Sequence, residues 1–248
     1  MTQQAQRAQI TTTYIDHMGS DLSVVNAARV SFGKKSKWDE EPRTREVRDG
    51  KMYCSDFPPP NTLSERDTKL IKYLAKHKHI SPFGHAFASF HIKAPIFVAR
   101  QLVKHKFLRW NEISRRYVDD EPEFYVPDVW RGRSADKKQG SDGVVDFDPY
   151  HVYLPDHYSY RAEHICLGVY EAMLEAGVAP EQARMVLPQS TMTEWYWSGS
   201  LDAFADMCRL RCKEDTQYES RLVADQVSTI MQDLYPVSWA ALMKGEKQ

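Results

Sequence analysis

The chain has 248 residues, 42% of them hydrophobic and 27% charged, with a formal net charge of -1. That is ordinary globular composition, and the near-neutral balance excludes a global field that steers the protein to nucleic acid or to a membrane. No apolar run approaches the roughly 20 residues that a membrane-spanning helix needs. Met1 to Thr13 is polar and carries no signal-peptide core. Cys54, Cys166, Cys208 and Cys212 follow no disulfide framework, so we expect a reducing, cytoplasmic setting.

Residues 33–62 are rich in charge and proline and read as a long surface excursion. A helix follows, with Ser64 and Asp67 as a capping-box-like start and Leu70, Ile71 and Leu74 as its apolar stripe. It ends near Lys76-His77-Lys78-His79, and Ser81-Pro82-Phe83-Gly84 reads as a turn. From His85 to Lys93 the chain alternates, with Ala86, Ala88, Phe90 and Ile92 on one face, which predicts a half-buried strand. Pro95 opens a predicted helix through about Phe107. Residues 131–148 carry three glycines, many charges and few apolar side chains, and predict a mobile surface loop. Tyr158 to Ala176 is an amphipathic helix with Ile165, Val169, Met173 and Leu174, stopped by Gly177. Pro180 starts a short helix, Thr191 to Trp197 is strand-like, and Leu201–Cys212 and Gln217–Leu234 form two closing helices. We expect one domain over 1–248, with surface insertions near 33–62 and 131–148.

The chemistry concentrates between Gln101 and Tyr117. On the predicted helix Gln101, Lys104 and His105 share a face. Five cations, Lys104, Lys106, Arg109, Arg115 and Arg116, fall within thirteen residues, with Asn111, Glu112 and Ser114 among them. Two readings stand: a site for a phosphorylated nucleotide, or a solvated basic face. The interleaved Phe107, Leu108, Trp110, Ile113 and Tyr117 favour partial burial and hence the site. Cys208 and Cys212 are read as small buried hydrophobes and not as half a metal site. His77, His79, His85 and His91 lack a companion at zinc-ligand spacing, so no metal is expected.

Five motifs carry a resemblance to a known family. Lys93-Ala-Pro-Ile-Phe-Val-Ala-Arg-Gln101 runs into Lys104-His105-Lys106 and Asn111-Glu112-Ile-Ser114-Arg115-Arg116-Tyr117. Upstream stand Ala27-Ala28-Arg29-Val30-Ser31 and His79-Ile-Ser81-Pro82-Phe83-Gly84-His85. Downstream stand Arg184-Met-Val-Leu187-Pro188 and Leu210-Arg211. In this order they resemble the flavin-dependent thymidylate synthases. Four positions depart from that pattern: Lys104 and Lys106 replace two arginines, Gly84 replaces a glutamate, and Asp215 replaces a histidine.

The resemblance implies an α/β (α+β-like) single domain of the ThyX type, with a central, antiparallel-rich sheet flanked by helices. It implies a methyltransferase making dTMP from dUMP with bound FAD, NADPH as reductant and 5,10-methylenetetrahydrofolate as carbon donor. No cysteine occurs in the Pro-Cys-His context of the classical, cysteine-dependent enzymes. By resemblance, FAD meets His79, Ser81, Lys104, His105, Lys106 and Glu112. dUMP meets Gln101, Lys104, Glu112, Ser114, Arg115, Arg116, Arg184 and Arg211. Arg211 is the expected catalytic residue, since Leu201, Phe204, Cys208 and Arg211 share one helical stripe and turn the guanidinium inward. A cation beside N3 favours the ionised uracil and makes C5 more nucleophilic. A structural salt bridge from Arg211 to a carboxylate is the alternative. The family's homotetramer, with active sites shared between subunits, is expected as well. The rivals are a different flavoenzyme or folate-dependent uridylate modifier on the same fold, and a non-enzymatic RNA- or nucleotide-binding module using residues 104–116.

Overall fold

The computed structural model describes residues 8–39, 45–48, 51–54, 62–117, 121–135, 140–146 and 162–244. In chain order they form β1 (Thr11–Met18), α1 (Asp21–Arg29), β2 (Arg45–Arg48), β3 (Lys51–Cys54), α2 (Glu65–Lys76), β4 (Phe87–Pro95) and α3 (Ile96–Leu102). Then come β5 (Leu108–Glu112), β6 (Trp130–Arg133), β7 (Ser141–Val145), α4 (Ala162–Glu175), α5 (Pro180–Ala183), β8 (Met192–Ser200), α6 (Leu201–Arg211), α7 (Tyr218–Leu234) and α8 (Pro236–Met243).

The main sheet has the order β1-β4-β8-β5, with every neighbouring pair antiparallel. The expected antiparallel sheet with flanking helices is therefore present. Its period-2 patterning sets its two faces. Ala88, Phe90, Ile92 and Ala94 of β4 are buried, as are Trp195 and Trp197 of β8. Phe90 pairs with Trp197 across the strands. Phe204 of α6 meets both edge-on, at centroid distances of 5.1 and 5.5 Å. Such a fully enclosed ring is worth about 3–5 kcal/mol against alanine. The other face is polar: the Ser89 and Ser198 hydroxyls lie 2.8 Å apart, and His91 Nε2 lies 3.0 Å from Glu194.

Helices α6, α7 and α8 close the apolar face with Val223, Val227, Met231 and Trp239, all buried. A buried carboxylate fixes α8. Asp21 is 3% exposed, and its two oxygens accept from the backbone N–H groups of Val237 and Ser238 at 2.9 and 2.8 Å. A carboxylate suits these positions because a helix start presents unpaired N–H groups and a positive dipole end. The Tyr235 hydroxyl ties the same region to β4, 2.7 Å from the Phe87 carbonyl. Arg29, in the first motif, ion-pairs with buried Asp67 of α2, whose backbone N–H is capped by Ser64 Oγ at 3.1 Å. That arginine holds α1 against α2 and does not line the cleft described below.

Several expected elements change. The helix from Pro95 ends at Leu102, because residues 108–112 must pair with β8 and the chain has to reverse first. Phe107 makes that reversal at φ 65° and stands 81% exposed. Strand β5 had a readable signal: Leu108 and Trp110 pack on the core while Arg109 and Asn111 face out. The predicted loop at 131–148 contains the β6–β7 hairpin, in which Val144 and Val145 pair with Arg131 and Trp130 and a bulge falls at Gly132. In the 33–62 excursion β2 pairs with β3, and a bridge joins Asp39 to Thr62. Helix α4 stops at Gly177 (φ 82°) as expected, but Tyr170 is its one buried residue and Ile165 and Val169 stay 46% and 44% exposed. The part of that predicted helix at 158–161 lies outside the described residues.

Candidate active site

Helices α3 and α6 converge beneath a cleft of about 810 Å³. Gln101, Lys104 and Arg211 line it, brought together from α3, the turn after it and the last turn of α6. Gln101 is locked in orientation. Its Nε2 donates to Gln217 Oε1, and its Oε1 accepts from Ser220 Oγ at 3.2 Å. One amide end thus meets an acceptor and the other a donor, which fixes the flip.

Arg211 is half-buried and faces inward, as its stripe predicts. Its Nε donates to His105 Nε2 at 3.0 Å. That bond requires a neutral imidazole with its proton on Nδ1. Burial first, and the Arg211 charge second, pull His105 from its ordinary 6.5 to about 4. Burial also lowers Arg211, yet a guanidinium stays charged at neutral pH. Among the described residues no carboxylate ion-pairs with Arg211, so the alternative of a structural salt bridge finds no partner there. A half-buried cation held by a neutral acceptor favours an anionic ligand in the cleft. His105, expected at the flavin, stands here as the support of Arg211.

The remaining expected ligands of dUMP are not in this cleft. Ser114 to Tyr117 form a turn beyond β5, with the Arg116 N–H donating to Ser114 Oγ at 3.4 Å. Arg115 is half-buried, and the Arg116 guanidinium lies 5.0 Å from the centroid of the Tyr117 ring. Arg184 is exposed after α5, its Nε donating to the Glu181 carbonyl at 3.3 Å. Glu112 is held within the sheet, its carboxylate accepting from Thr193 Oγ1 at 2.7 Å and Trp110 Nε1 at 3.1 Å.

Four of the residues expected at the flavin, His79, Ser81, Lys104 and Lys106, share one trait, exposure with donor or cationic chemistry. His79 and Ser81 sit between α2 and β4, and the His79 ring stacks near Tyr73, 6.1 Å between centroids. Lys104 and Lys106 are exposed and without an ion-pair partner among the described residues. Two unpaired ammonium groups, a hydroxyl and an imidazole suit a diphosphate and a planar ring, so these residues fit the group. Lysine offers a point charge where arginine offers a fork.

Sequence reasoning did not find the cleft's other walls: Phe97, Tyr125, Trp130, Arg131 and Glu219. Tyr125 is drawn in by backbone pairing, its N–H donating to the Ser190 carbonyl at 2.8 Å. Burial first and Glu219 second push its phenol up to about 12, so it stays protonated. Cys208 is buried, its thiol donating to the Ala224 carbonyl at 3.5 Å, and burial pushes it well above the ordinary thiol range. It packs as a small hydrophobe, the role its helical position predicts.

A family model described as thymidylate synthase complementing protein matches residues 13–237. A flavin-dependent thymidylate synthase of Thermus thermophilus is 37% identical over 227 residues, spanning 92% of this chain and 73% of that one. Another, of Kosmotoga olearia, is 38% identical over 232 residues, spanning 92% and 88%. Among solved structures, the UMP/dUMP methylase PolB from Streptomyces cacaoi bound with 5-Br dUMP has a TM-score of 0.70 at 30% identity and covers 95% of both chains. The same methylase bound with 5-Br UMP gives 0.71 at 29% identity. The chain belongs to the flavin-dependent thymidylate synthase family, that of the thymidylate synthase complementing proteins.

Proposed function

We propose that this single-domain chain is a flavin-dependent thymidylate synthase that methylates dUMP reductively to dTMP. Its carbon donor is 5,10-methylenetetrahydrofolate and its reductant is NADPH. The observation that carries the reading is the Arg211–His105 pair facing a cleft lined by Gln101 and Lys104, in a member of that family. Arg211 stands as a cation beside N3 of the uracil. There it favours the ionised ring, makes C5 the better nucleophile, and supplies its stabilisation through preorganised charge. Neutral His105 keeps the guanidinium aimed without competing for the anion. Lys104 holds phosphate as a point charge, and the Gln101 amide orients the nucleotide.

FAD is held by Lys106, Ser81, His79 and Lys104, and when bound it supplies the redox chemistry. Ser114, Arg115, Arg116, Arg184 and Glu112 complete the nucleotide site in a homotetramer, where a second copy brings them to the cleft of the first. The RNA-binding alternative is weaker. The 104–116 stretch runs through a turn and an edge strand, so its cations form no single helix face. The methylase PolB, bound with 5-Br UMP as well as 5-Br dUMP, favours one second reading, a chain that also accepts the ribonucleotide.

The test is turnover of dUMP and, separately, UMP with NADPH and methylenetetrahydrofolate on yellow, flavin-loaded protein. The wild type is expected to form dTMP, and Arg211→Ala to lower kcat/KM by about 10²–10³. Normal turnover in Arg211→Ala would remove Arg211 from the mechanism. A colourless protein with steeply salt-dependent RNA affinity would replace the whole reading.

A further inference from the structure

The β6–β7 hairpin has no part in the roles above, yet its inner edge lines the Arg211 cleft at Trp130, Arg131, Gly140 and Ser141. One side chain ties it down. Arg131 Nη2 donates to Glu219 in the first turn of α7, and its Nε donates to Ser141 Oγ at 3.1 Å. Its guanidinium carbon also lies 4.1 Å from the Tyr218 ring centroid. Fork, hydrogen bond and ring stacking all use features that arginine has and lysine lacks.

A second contact fixes the other strand. Gly140 stands at φ 85°, and a Cβ there would lie 2.6 Å from the Asp215 carbonyl oxygen. The hairpin backbone therefore touches the α6–α7 connection, which runs from Arg211 to Gln217, with no room for a side chain.

Glu219 gives the arrangement its consequence. It lines the cleft and is 6% exposed. Unpaired, it would be a buried carboxylate facing the place of an anionic nucleotide.

We propose that Arg131 is a positioning residue for nucleotide binding: clamped to Glu219, it holds the hairpin as the outer wall of the cleft and cancels the Glu219 charge. The proposal rests on the reading of the cleft as the nucleotide site. Arg131 does not touch the reacting atoms. It acts by fixing the wall and the local charge, so its removal weakens the nucleotide more than it slows turnover at saturation.

The experiment measures the dUMP dissociation constant by calorimetry, together with KM and kcat, on the flavin-loaded full chain. The wild type comes first. If it neither binds nor converts dUMP, the functional reading fails and this proposal falls with it. With a dUMP-binding wild type, Arg131→Met is expected to weaken dUMP about tenfold or more while kcat stays within about threefold. Arg131→Lys is expected to lie between the two. The double variant Arg131→Met with Glu219→Gln regains the part due to charge but stays weaker than wild type, because the wall is still released. Gly140→Ala displaces the hairpin with both charges kept, and weakens dUMP in the same direction. If Arg131→Met does not fold, Arg131→Lys and Gly140→Ala decide. Unchanged dUMP affinity and KM in those variants overturns the proposal, as does a fall confined to kcat.

Discussion

Gln101, His105 and Arg211 differ from Ser114, Arg116 and Arg184 in how the chain holds them. Each of the first three is bonded by another side chain, Gln101 to Gln217 and Ser220, and Arg211 to His105, and Gln101 and Arg211 line one cavity. The second three stand on turns. Arg116 leans on a Tyr117 ring that is itself 77% exposed, and Arg184 bonds a carbonyl of its own turn. Phe107 and Met185, beside these cations, are 81% and 78% exposed. Single exposed apolar residues are ordinary, but these stand beside cations that the family motifs single out. The contrast teaches that the motifs gather residues which one chain does not bring into one cavity. A floor built within the chain and a rim presented outward are what a site shared between copies requires.

The largest expected effect would break or confirm that division. Arg116→Ala is expected to lower kcat/KM by about 10²–10³, the same loss expected of Arg211→Ala. In a shared site, co-expressing the two inactive variants restores part of the activity, since some sites receive both wild-type arginines. Activity that stays at the level of the separate variants would place floor and rim in one chain.

A smaller effect sharpens the account of the floor. An unfolded histidine takes up its proton near 6.5, whereas folded His105 holds out until about 4. The unfolded state therefore binds the proton first. The stability linked to neutral His105 is complete above pH 6.5 and is lost as pH falls toward 4. His105→Gln, which keeps an acceptor for Arg211 without a titrating ring, is expected to flatten the fall in denaturant midpoint across that window. An unchanged acid limb would mean that His105 is not what the acid attacks.

Much of this was legible in the sequence, and for identifiable reasons. Alternation in Ala88, Phe90 and Ile92 gave β4, and the Ser64 cap gave the start of α2, because both are local signals. The stripe Leu201, Phe204, Cys208 turned Arg211 inward as the helical period dictates. The short strand β5 carries a local alternation of Leu108 and Trp110 with Arg109 and Asn111, but five residues are too few to stand out beside the motif's charges, and the pairing with β8 is what defines it. The pairing of His105 with Arg211, and of Arg131 with Glu219, spans 106 and 88 residues. No periodicity encodes contacts at that range. Family motifs name such residues without telling which of them meet in one chain.

Phe107 gives the smallest and most discriminating test. At φ 65° a phenylalanine occupies left-handed backbone, which costs on the order of 1–2 kcal/mol. Phe107→Gly relieves that cost and adds about 0.5–1 kcal/mol of unfolded-state entropy, so for an isolated chain the net change is within about 1 kcal/mol. A ring covered by a second copy contributes roughly 1.5–3 kcal/mol of burial, which the glycine would forfeit. A shared rim therefore predicts that Phe107→Gly leaves each chain folded, lowers Tm most at low protein concentration, and shifts sedimentation toward smaller species. An equal or higher Tm with unchanged sedimentation would show the ring to be free in the assembly. The rim would then be open surface at Phe107, and the second copy would have to reach Arg116 and Arg184 from another side.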